Sequence, residues 1–292
     1  MAIIVHRETR LVVQGITGRE GSFHTLRNRA YGTNVVAGVT PGKGGEDVEG
    51  IPVFHTVAEA VEQAGANTSL VFVPAPFAGD AISEAVGAGI GTIICITEGV
   101  PAHDMLRVYG TVRSRGITMV GPNCPGVLSP GQANAGIIPA EIFSEGAIGL
   151  VSRSGTLTYQ IGHELTQLGL GNSTIVGIGG DPVVGSSFVD VLEKFEADDG
   201  TEIVVMVGEI GGDEEEKAAE FIRNSMTKPV FAYIAGFTAP PGKTMGHAGA
   251  IISGSAGTAR AKKQALEAHG VRVGTNPTEV ARLAAEVVGA RA

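Results

Sequence analysis

The sequence predicts two doubly wound α/β domains, and three observations lead to this fold class. Short apolar runs rich in β-branched residues recur along the chain, each followed by a glycine or proline break and then by a helical pattern. The 44 glycines lie in short clusters between these runs, which is typical of tight strand-to-helix turns. A hydrophobic content of 43% with 17% charged residues suits a well-packed globular protein. The length of 292 residues is sufficient for two domains.

The first half of the chain contains five candidate strands. They lie at residues 10–15, 34–39, 69–74, 92–97 and 117–122. Amphipathic stretches at 56–65 and 78–89 alternate with them and predict helices. Because strands that are apolar on both faces need cover on both sides, we expect a parallel sheet between two layers of helices.

A stretch rich in proline and glycine, residues 121–146, interrupts this alternation, and we interpret it as a linker or inter-domain crossing segment. A second series of candidate strands follows at residues 147–152, 173–179, 202–208, 229–236 and 271–274. The chain is therefore divided into a first domain (1–122), an inter-domain segment (123–146) and a second domain (147–292). Ligands of such sheets bind beyond the carboxyl ends of the strands, so the loops after each strand are the candidate sites.

Composition argues against several classes of function. The net charge is −9, tryptophan is absent and no cluster of Lys or Arg occurs, so we expect no nucleic-acid partner. No signal-peptide pattern and no run of about 18 apolar residues is present, so we expect no membrane segment. Cys95 and Cys124 lack the spacing of a disulfide framework, which favours a reducing compartment: the cytoplasm, or the mitochondrial matrix for a processed eukaryotic chain. No Cys/His grouping has zinc spacing, so no metal site is predicted.

The first candidate strand leads into a glycine-rich turn, Gly15-x-x-Gly18-x-x-Gly21. Such a turn lets the backbone approach a ligand, and the helix that follows offers free N–H groups to a phosphate. Thr17 stands where a dinucleotide-binding motif has its middle glycine, and the second strand ends near Lys43 instead of a carboxylate. These features favour a phosphate-bearing nucleotide other than NAD. A tight turn made only for packing is the alternative.

Two further strand ends of the first domain are candidates for a ligand groove. The stretch "VFVPAPF" at 71–77 ends a strand in prolines that present apolar surface, and Thr97 and Glu98 directly follow another strand. Either stretch could equally be a simple strand terminator.

The second domain opens with a strand followed by "SRSGT" and a helical pattern. Ser154 is a good N-cap, and Gly155 permits close backbone approach, so this helix start could hold a phosphoryl group. A plain helix cap is the alternative.

Glu209 and His247 are the two remaining candidates for chemistry. Glu209 ends an apolar strand in a tip flanked by glycines, whereas the acidic residues 213–216 suit a helix N-terminus through its dipole. His247 lies between Gly246 and Ala248-Gly249, without bulky neighbours. Taken alone, a solvated loop histidine is the simpler interpretation.

Together, the segments resemble the succinyl-CoA synthetase (succinate–CoA ligase) α-subunit family. The resemblance spans most of the chain in one order and is carried by "GITGREG", "VTPGKGG", "VPAPF", "ITEG", "GPNCPGV", "VSRSGTLTYQ", "GIGGDPVVGSSF", "GEIGG" and "GHAGAII". It implies an N-terminal Rossmann-like domain that binds coenzyme A and a C-terminal flavodoxin-like domain. It also implies an enzyme of the citric acid cycle that interconverts succinyl-CoA, phosphate and a nucleoside diphosphate with succinate, CoA and a nucleoside triphosphate.

The resemblance also implies roles for individual residues. His247 is the residue that becomes phosphorylated, Glu209 pairs with it, and Tyr159 lies at the site of the acid substrate. Contacts to CoA are implied for Thr17, Gly18, Arg19, Glu20, Lys43, Ile96, Thr97 and Glu98. The helix start at Ser154 and Gly155 would then bind the phosphoryl oxygens.

The family places Mg²⁺ and ATP or GTP largely on a β subunit, so the resemblance implies a heterodimer or heterotetramer. The absence of a G-x-x-x-x-G-K-[ST] motif from the sequence agrees with that division. Three alternatives stay open at this point. They are the α subunit of an acetate-, malate- or citrate-type CoA ligase, a non-catalytic CoA-binding regulatory protein, and an NAD-dependent dehydrogenase.

Overall fold

The first half of the chain forms a seven-stranded sheet in a computed structural model that describes residues 2–240, 242–252 and 257–289. The elements of this half are β1 (Leu11–Gln14), α1 (Arg19–Tyr31), β2 (Val35–Val39), β3 (Asp47–Val48), β4 (Ile51–Phe54), α2 (Val57–Ala64), β5 (Thr68–Val71), α3 (Ala75–Gly87), β6 (Thr92–Cys95), α4 (Ala102–Ser114) and β7 (Thr118–Val120). The strand order is β3-β4-β2-β1-β5-β6-β7, and every pair except β3–β4 is parallel. The order reverses between β1 and β5, which is where such sheets bind ligands.

The second half forms another seven-stranded sheet. Its elements are β8 (Gly126–Ser129), β9 (Ala133–Gly136), a 3₁₀ turn (Ala140–Ile142), β10 (Glu145–Ser152), α5 (Gly155–Gln167), β11 (Asn172–Gly177), α6 (Phe188–Ala197), β12 (Ile203–Glu209), α7 (Glu214–Ser225), β13 (Val230–Ala235), α8 (Ala259–Ala268), β14 (Arg272–Gly274) and α9 (Pro277–Gly289). The order is β14-β13-β12-β10-β11-β8-β9, so the reversal lies between β10 and β12. The five strands from β10 to β14 are parallel and have the flavodoxin-like order.

The predicted fold class is confirmed, and each candidate strand of the sequence has a counterpart within a few residues. The segment 123–146, expected to be a linker or to cross between the domains, contains regular structure that was not predicted. It contains the hairpin β8–β9, and β8 pairs antiparallel with β11, so the hairpin extends the second sheet. Its prolines and glycines lie at the ends and turns of these short strands. Because the strands do not form continuous apolar runs, the sequence pattern did not predict them. The division of the chain at 122 and 146 stays a prediction.

The short hairpin β3–β4 was also not predicted. Its two-residue turn, Glu49-Gly50, has both residues at positive φ (51° and 83°), as hairpin turns require. Only two residues of β3 are paired, too few to produce an alternating pattern in the sequence.

The core is built from strands whose side chains are buried on both faces, as in β1, β5, β11 and β12. Cys95 and Cys124 are buried free thiols, and burial raises the pKa of Cys95 to about 12, so that thiol stays protonated near neutral pH. Among the residues that the structure describes, no helix is long and apolar enough to cross a membrane.

Hydrogen bonds connect the two halves of the chain. Arg113 donates to Asp190 at 2.6 Å, and the Ser186 hydroxyl donates to the carbonyl oxygen of Met119 at 2.6 Å. The N–H of Gly185 donates to the carbonyl oxygen of Gly121 at 2.8 Å. These contacts join α4 and the end of β7 in the first half to the start of α6 in the second.

Candidate active site

The candidate active site centres on His247, above the point where the second sheet reverses its strand order. Ser154 follows β10, and Glu209 is the last residue of β12, the two strands on either side of that point. The loop that carries His247 runs between β13 and α8.

His247 and Glu209 form a close pair. The Nδ1 atom of His247 lies 2.8 Å from Oε2 of Glu209 and 3.0 Å from Oε1. The Glu209 side chain is buried, and this hydrogen bond raises the pKa of His247 against the opposing effect of burial. In the neutral ring, Nδ1 carries the hydrogen that it donates to the carboxylate, so the lone pair lies on Nε2. The pair therefore has the geometry of an oriented nucleophile.

Glycines on both sides of the His247 ring create its position. Gly246 has φ of 84°, a conformation that side chains rarely adopt, and a Cβ atom on Gly180 would overlap the ring. The N–H of Gly249 donates to the carbonyl oxygen of Gly180 at 3.2 Å, which holds the loop against the end of β11. Gly180 belongs to the segment "GIGGDPVVGSSF", which carries the family resemblance, but its contact with His247 was not predicted.

Arg153 adds a positive charge on the other side of Glu209. Its Nε lies 3.4 Å from Oε1 of Glu209, and the residue is only 7% exposed. Within the described residues, this Nε has no hydrogen-bond partner. The charge lowers the pKa of His247, and the guanidinium lines a cavity of about 460 Å³ together with Asp181 and Gly249. Sequence reasoning did not single out Arg153, although it lies beside Ser154 in the same turn.

Asp181 is a second carboxyl group near His247. Nδ2 of Asn123 donates to its Oδ1 at 2.9 Å, and burial raises the pKa of Asp181. Asn123 has φ of 55°, in the left-handed region that Asn tolerates better than most residues. Neither residue was predicted as part of the site, because only the fold brings the two together.

The start of α5 offers backbone donors to an anion. The Ser154 hydroxyl accepts the N–H of Leu157 at 3.3 Å, and the Ser154 N–H donates to Oγ of Ser152 at 3.1 Å. Ser154 is thus the N-cap of α5, which agrees both with an anion site at this helix start and with a plain helix cap. In the described part of the chain, the N–H groups of Gly155 and Thr156 have no acceptor. Tyr159, also on α5, is partly buried, and burial raises its pKa to about 12.

In the first domain, the predicted glycine-rich turn links β1 to α1. Gly15 has φ of 84°, and a Cβ on Gly21 would overlap the carbonyl oxygen of Gly15, so both positions require glycine. The Thr17 hydroxyl donates to Oγ1 of Thr40 at 3.1 Å. Gly18 caps α1 without a side chain, so the first N–H groups of the helix are open to a ligand.

A cavity lies at the sheet's reversal point, beside the glycine-rich turn, and the other predicted contact residues of the first domain are not among those that line it. This cavity, about 380 Å³, lies between Gly15, Thr40 and Pro74, and its lining is mostly apolar. The side chains of Arg19 and Glu20 point into solvent beside the turn, 95% and 67% exposed, and Lys43 is exposed in the loop after β2. The arrangement suits a long ligand with an apolar ring and several phosphates.

The end of β6 connects this cavity to His247. The carbonyl oxygen of Thr97 accepts the N–H of Asn123 at 2.9 Å, and the Asn123 carbonyl accepts the N–H of Gly180 at 3.2 Å. Ile96 and Thr97 are partly buried, and Glu98 is exposed yet close enough to raise the pKa of His247. The structure thereby brings the residues 96–98 near His247, whereas the glycine-rich turn reaches the cavity of the first domain through Gly15, and Lys43 is exposed in the loop after β2. No group of three or more potential metal ligands occurs among the described residues.

Two protein families match the chain. A CoA binding domain family matches residues 6–99, and a CoA-ligase family matches residues 151–272. Over 99% of its length, the chain is 62% identical to a protein of Archaeoglobus fulgidus named succinate–CoA ligase [ADP-forming] subunit alpha 2, all of which is covered. It is 60% identical to the succinate–CoA ligase [ADP-forming] subunit alpha of Aquifex aeolicus, over 99% of this chain and 95% of the relative. It is 54% identical to the succinate–CoA ligase [ADP-forming] subunit alpha of Staphylococcus aureus, over 96% of this chain and 93% of the relative.

Solved structures show the same fold in more distant proteins. An ATP citrate lyase from Methanothrix soehngenii superposes with a TM-score of 0.89 at 22% identity, over 99% of this chain and 51% of that chain. A dinucleotide-forming acetyl-coenzyme A synthetase from Ca. Korarchaeum cryptofilum superposes with a TM-score of 0.74 at 20% identity, over 93% of this chain and 59% of that chain. The chain therefore spans about half the length of these proteins.

Proposed function

Because the chain belongs to the succinate–CoA ligase alpha-subunit family, we propose that His247 carries a phosphoryl group between succinyl phosphate and a nucleoside diphosphate. The overall reaction converts succinyl-CoA, phosphate and the diphosphate to succinate, CoA and the triphosphate. The relatives are named ADP-forming, and we extend that preference to this chain. The observation that carries the proposal is the bond from Nδ1 of His247 to Glu209, which leaves Nε2 as the nucleophile.

The reaction proceeds in three steps. An oxygen of phosphate attacks the thioester carbonyl of succinyl-CoA, the C–S bond breaks and CoA leaves, giving succinyl phosphate. The Nε2 lone pair of His247 then attacks phosphorus, and the bond to the succinyl oxygen breaks to release succinate. Finally, a terminal oxygen of the diphosphate attacks the phosphohistidine, and the P–N bond breaks. Splitting the transfer at histidine avoids a direct reaction between two anionic substrates held in separate places.

Glu209, Arg153 and the start of α5 each have a role in the second step. Glu209 stabilises the positive charge that the ring gains as the N–P bond forms, and Arg153 keeps the buried carboxylate paired. The N–H groups of Gly155 and Thr156, behind the Ser154 cap, are preorganised donors for the phosphoryl oxygens. Tyr159 is assigned to the succinate site on the same helix.

The first domain holds CoA. Backbone N–H groups of the turn from Thr17 to Glu20 bind its diphosphate, Lys43 pairs with a phosphate, and the cavity of about 380 Å³ takes the apolar ring. Residues Ile96, Thr97 and Glu98 lie between that cavity and His247, so the pantetheine arm passes them on its way to the second domain.

A β subunit completes the enzyme, in a heterodimer or heterotetramer. The nucleotide and Mg²⁺ are assigned to that subunit, since this sequence lacks a P-loop motif. The enzyme is assigned to the cytoplasm. A non-catalytic CoA-binding regulatory protein has no need of the His247–Glu209 pair. A dehydrogenase is disfavoured by Thr17 in the glycine-rich turn and by the absence of a carboxylate at the end of the second strand.

The proposed function is tested by purifying the chain with its β subunit and measuring CoA-thioester formation from several acids. We expect the highest kcat/KM with succinate, lower values with malate and acetate, and no activity without the β subunit. A preference for acetate or citrate would assign the chain to another acid–CoA ligase, and full activity of the chain alone would contradict the division of sites.

Charge reversal at Lys43 tests the CoA site separately. We expect Lys43→Glu to raise the Kd for CoA about tenfold, because an exposed lysine–phosphate pair is partly screened by solvent. Labelling of His247 by ATP should stay near the wild-type level, since Lys43 lies at the other site. Arg282→Glu, on α9, makes the same change in net charge as a control. If CoA binding and labelling fell by the same factor, separate sites would be contradicted.

A further inference from the structure

A buried ion pair, Glu215 with Lys262, lies directly behind Glu209. Both side chains are fully buried, and the Nζ atom of Lys262 donates to Oε2 of Glu215 and, at 3.2 Å, to Oε2 of Glu216. Glu215 lies in the first turn of α7 and Lys262 in α8. Neither residue has a part in the three chemical steps.

The pair is connected to the site through the backbone of Glu209. The N–H of Glu209 donates to Oε1 of Glu215 at 3.0 Å. Gly208 makes this contact possible, since a Cβ at that position would lie 2.6 Å from both Cγ and Oε1 of Glu215. The strand end that presents the catalytic carboxylate is therefore held by a side chain of α7.

Stability does not explain such a pair. Removing two charges from water costs more than their attraction in many proteins, and apolar residues of similar volume are often as stable or more stable. Burial raises the pKa of Glu215, and the charges of Lys262 and Arg153 oppose that shift. Arg153 thus lies close to two carboxylates, Glu215 and Glu209, and the charges alternate in sign from Lys262 to Glu209.

We propose that Glu215, anchored by Lys262, is a positioning residue that fixes the backbone of Glu209 and thereby aims its carboxylate at Nδ1 of His247. This inference rests on the proposed role of His247 as phosphoryl carrier. It assigns no contact with substrate to Glu215 or Lys262.

The proposal has a consequence for pH dependence. The groups that face His247 are Glu209, Arg153, Asp181 and Glu98, and Glu209 makes the hydrogen bond that raises the pKa of His247. Only the neutral ring is nucleophilic, so phosphorylation is lost on the acid side of that pKa. If Glu209 turns away from Nδ1, the pKa falls and the acid limb of the rate profile moves to lower pH.

Two double variants isolate the hydrogen bond from the charges. Glu215→Gln with Lys262→Met removes both charges, but the new amide keeps an acceptor for the Glu209 N–H and can donate to Glu216. Glu215→Leu with Lys262→Met removes both charges and the acceptor. In the complex with the β subunit, we expect the Leu variant to phosphorylate His247 about 10- to 100-fold more slowly, with its acid limb at lower pH. The Gln variant should stay within about fivefold of wild type, with an unshifted acid limb.

A third variant disturbs the hydrogen bond between the Glu209 N–H and Glu215 by changing β12 instead of α7. Gly208→Ala leaves both charges in place but pushes the Glu215 carboxylate away from the Glu209 N–H. It should also lower the rate and shift the acid limb to lower pH, and it carries the test if the Leu variant does not fold. Lys263→Met, the neighbouring position on α8 with a more exposed ion pair to Glu267, is the control and should match wild type.

The outcomes separate this proposal from its premise. Equal rate losses in the Gln and Leu variants with no shift of the acid limb would show a purely structural role and overturn it. Wild-type profiles in the Leu variant or in Gly208→Ala would also overturn it. If the wild-type complex itself were not phosphorylated on His247, the proposed function would fail instead.

Discussion

Labelling of this chain by ATP in the complex with the β subunit is expected to vanish in the variant His247→Asn. Asparagine fills part of the histidine's volume but has no nucleophilic nitrogen, so the covalent intermediate cannot form. Net succinyl-CoA turnover should fall at least about 1,000-fold, since removal of a covalent nucleophile costs that much or more in other enzymes. The measurement is incorporation of the terminal phosphate of radiolabelled ATP, followed after acid and alkali treatment. Phosphohistidine survives alkali and is lost in acid.

The structure also predicts which ring nitrogen is labelled. Nδ1 lies 2.8 Å from the Glu209 carboxylate, so the phosphate should be on Nε2, which phosphorus NMR of the labelled complex distinguishes. His103→Asn is the matched control, because the His103 side chain is 91% exposed on α4, and its variant should label as wild type. Full labelling of the His247→Asn complex, or phosphate on Nδ1, would contradict the mechanism.

The sheets could be predicted because their strands are apolar on both faces. Runs such as those of β11 and β12 are long enough, and bounded clearly enough by glycine, to stand out as strands. The hairpin β8–β9 could not be predicted in this way. Its strands contain glycine, serine and asparagine, and they are stabilised by pairing with β11, a contact that the local sequence does not encode.

The site also contains residues that the sequence could place and residues that it could not. Glu209 and Ser154 could be placed from the sequence, because both follow strands next to the reversal point of the sheet. His247 could be identified only through a family resemblance, since a loop histidine between small residues has no signal of its own. The contacts of Arg153, Asp181 and Gly180 depend on loops far apart in the chain. A Cβ at Gly180 would overlap the His247 ring, but the sequence alone does not show which side chain approaches that glycine.

Glu209→Gln is expected to slow phosphorylation of His247 about tenfold. The amide oxygen of glutamine still accepts the Nδ1 hydrogen, so the ring keeps its orientation. What is lost is the negative charge that stabilises the ring as it becomes positive, because a hydrogen bond to a charged group contributes about 1.5–3 kcal/mol and a neutral one about 0.5–1.5 kcal/mol. At 1.4 kcal/mol for each factor of ten, this difference corresponds to the stated loss of rate.

The same substitution should move the acid limb of the profile to lower pH. In the wild type, Glu209 raises the pKa of His247 above its ordinary value of 6.5, while burial and Arg153 lower it. Without the carboxylate, burial and Arg153 still lower the pKa of His247 and only the smaller effect of Glu98 raises it, so the ring stays neutral, and nucleophilic, at more acidic pH. A lower plateau together with a more acidic limb is a signature that partial unfolding cannot produce. Rates of labelling between pH 5 and 9, with Glu267→Gln as the exposed control, measure both effects, and an acid limb that moved to higher pH would show that Glu209 does not set the protonation of His247.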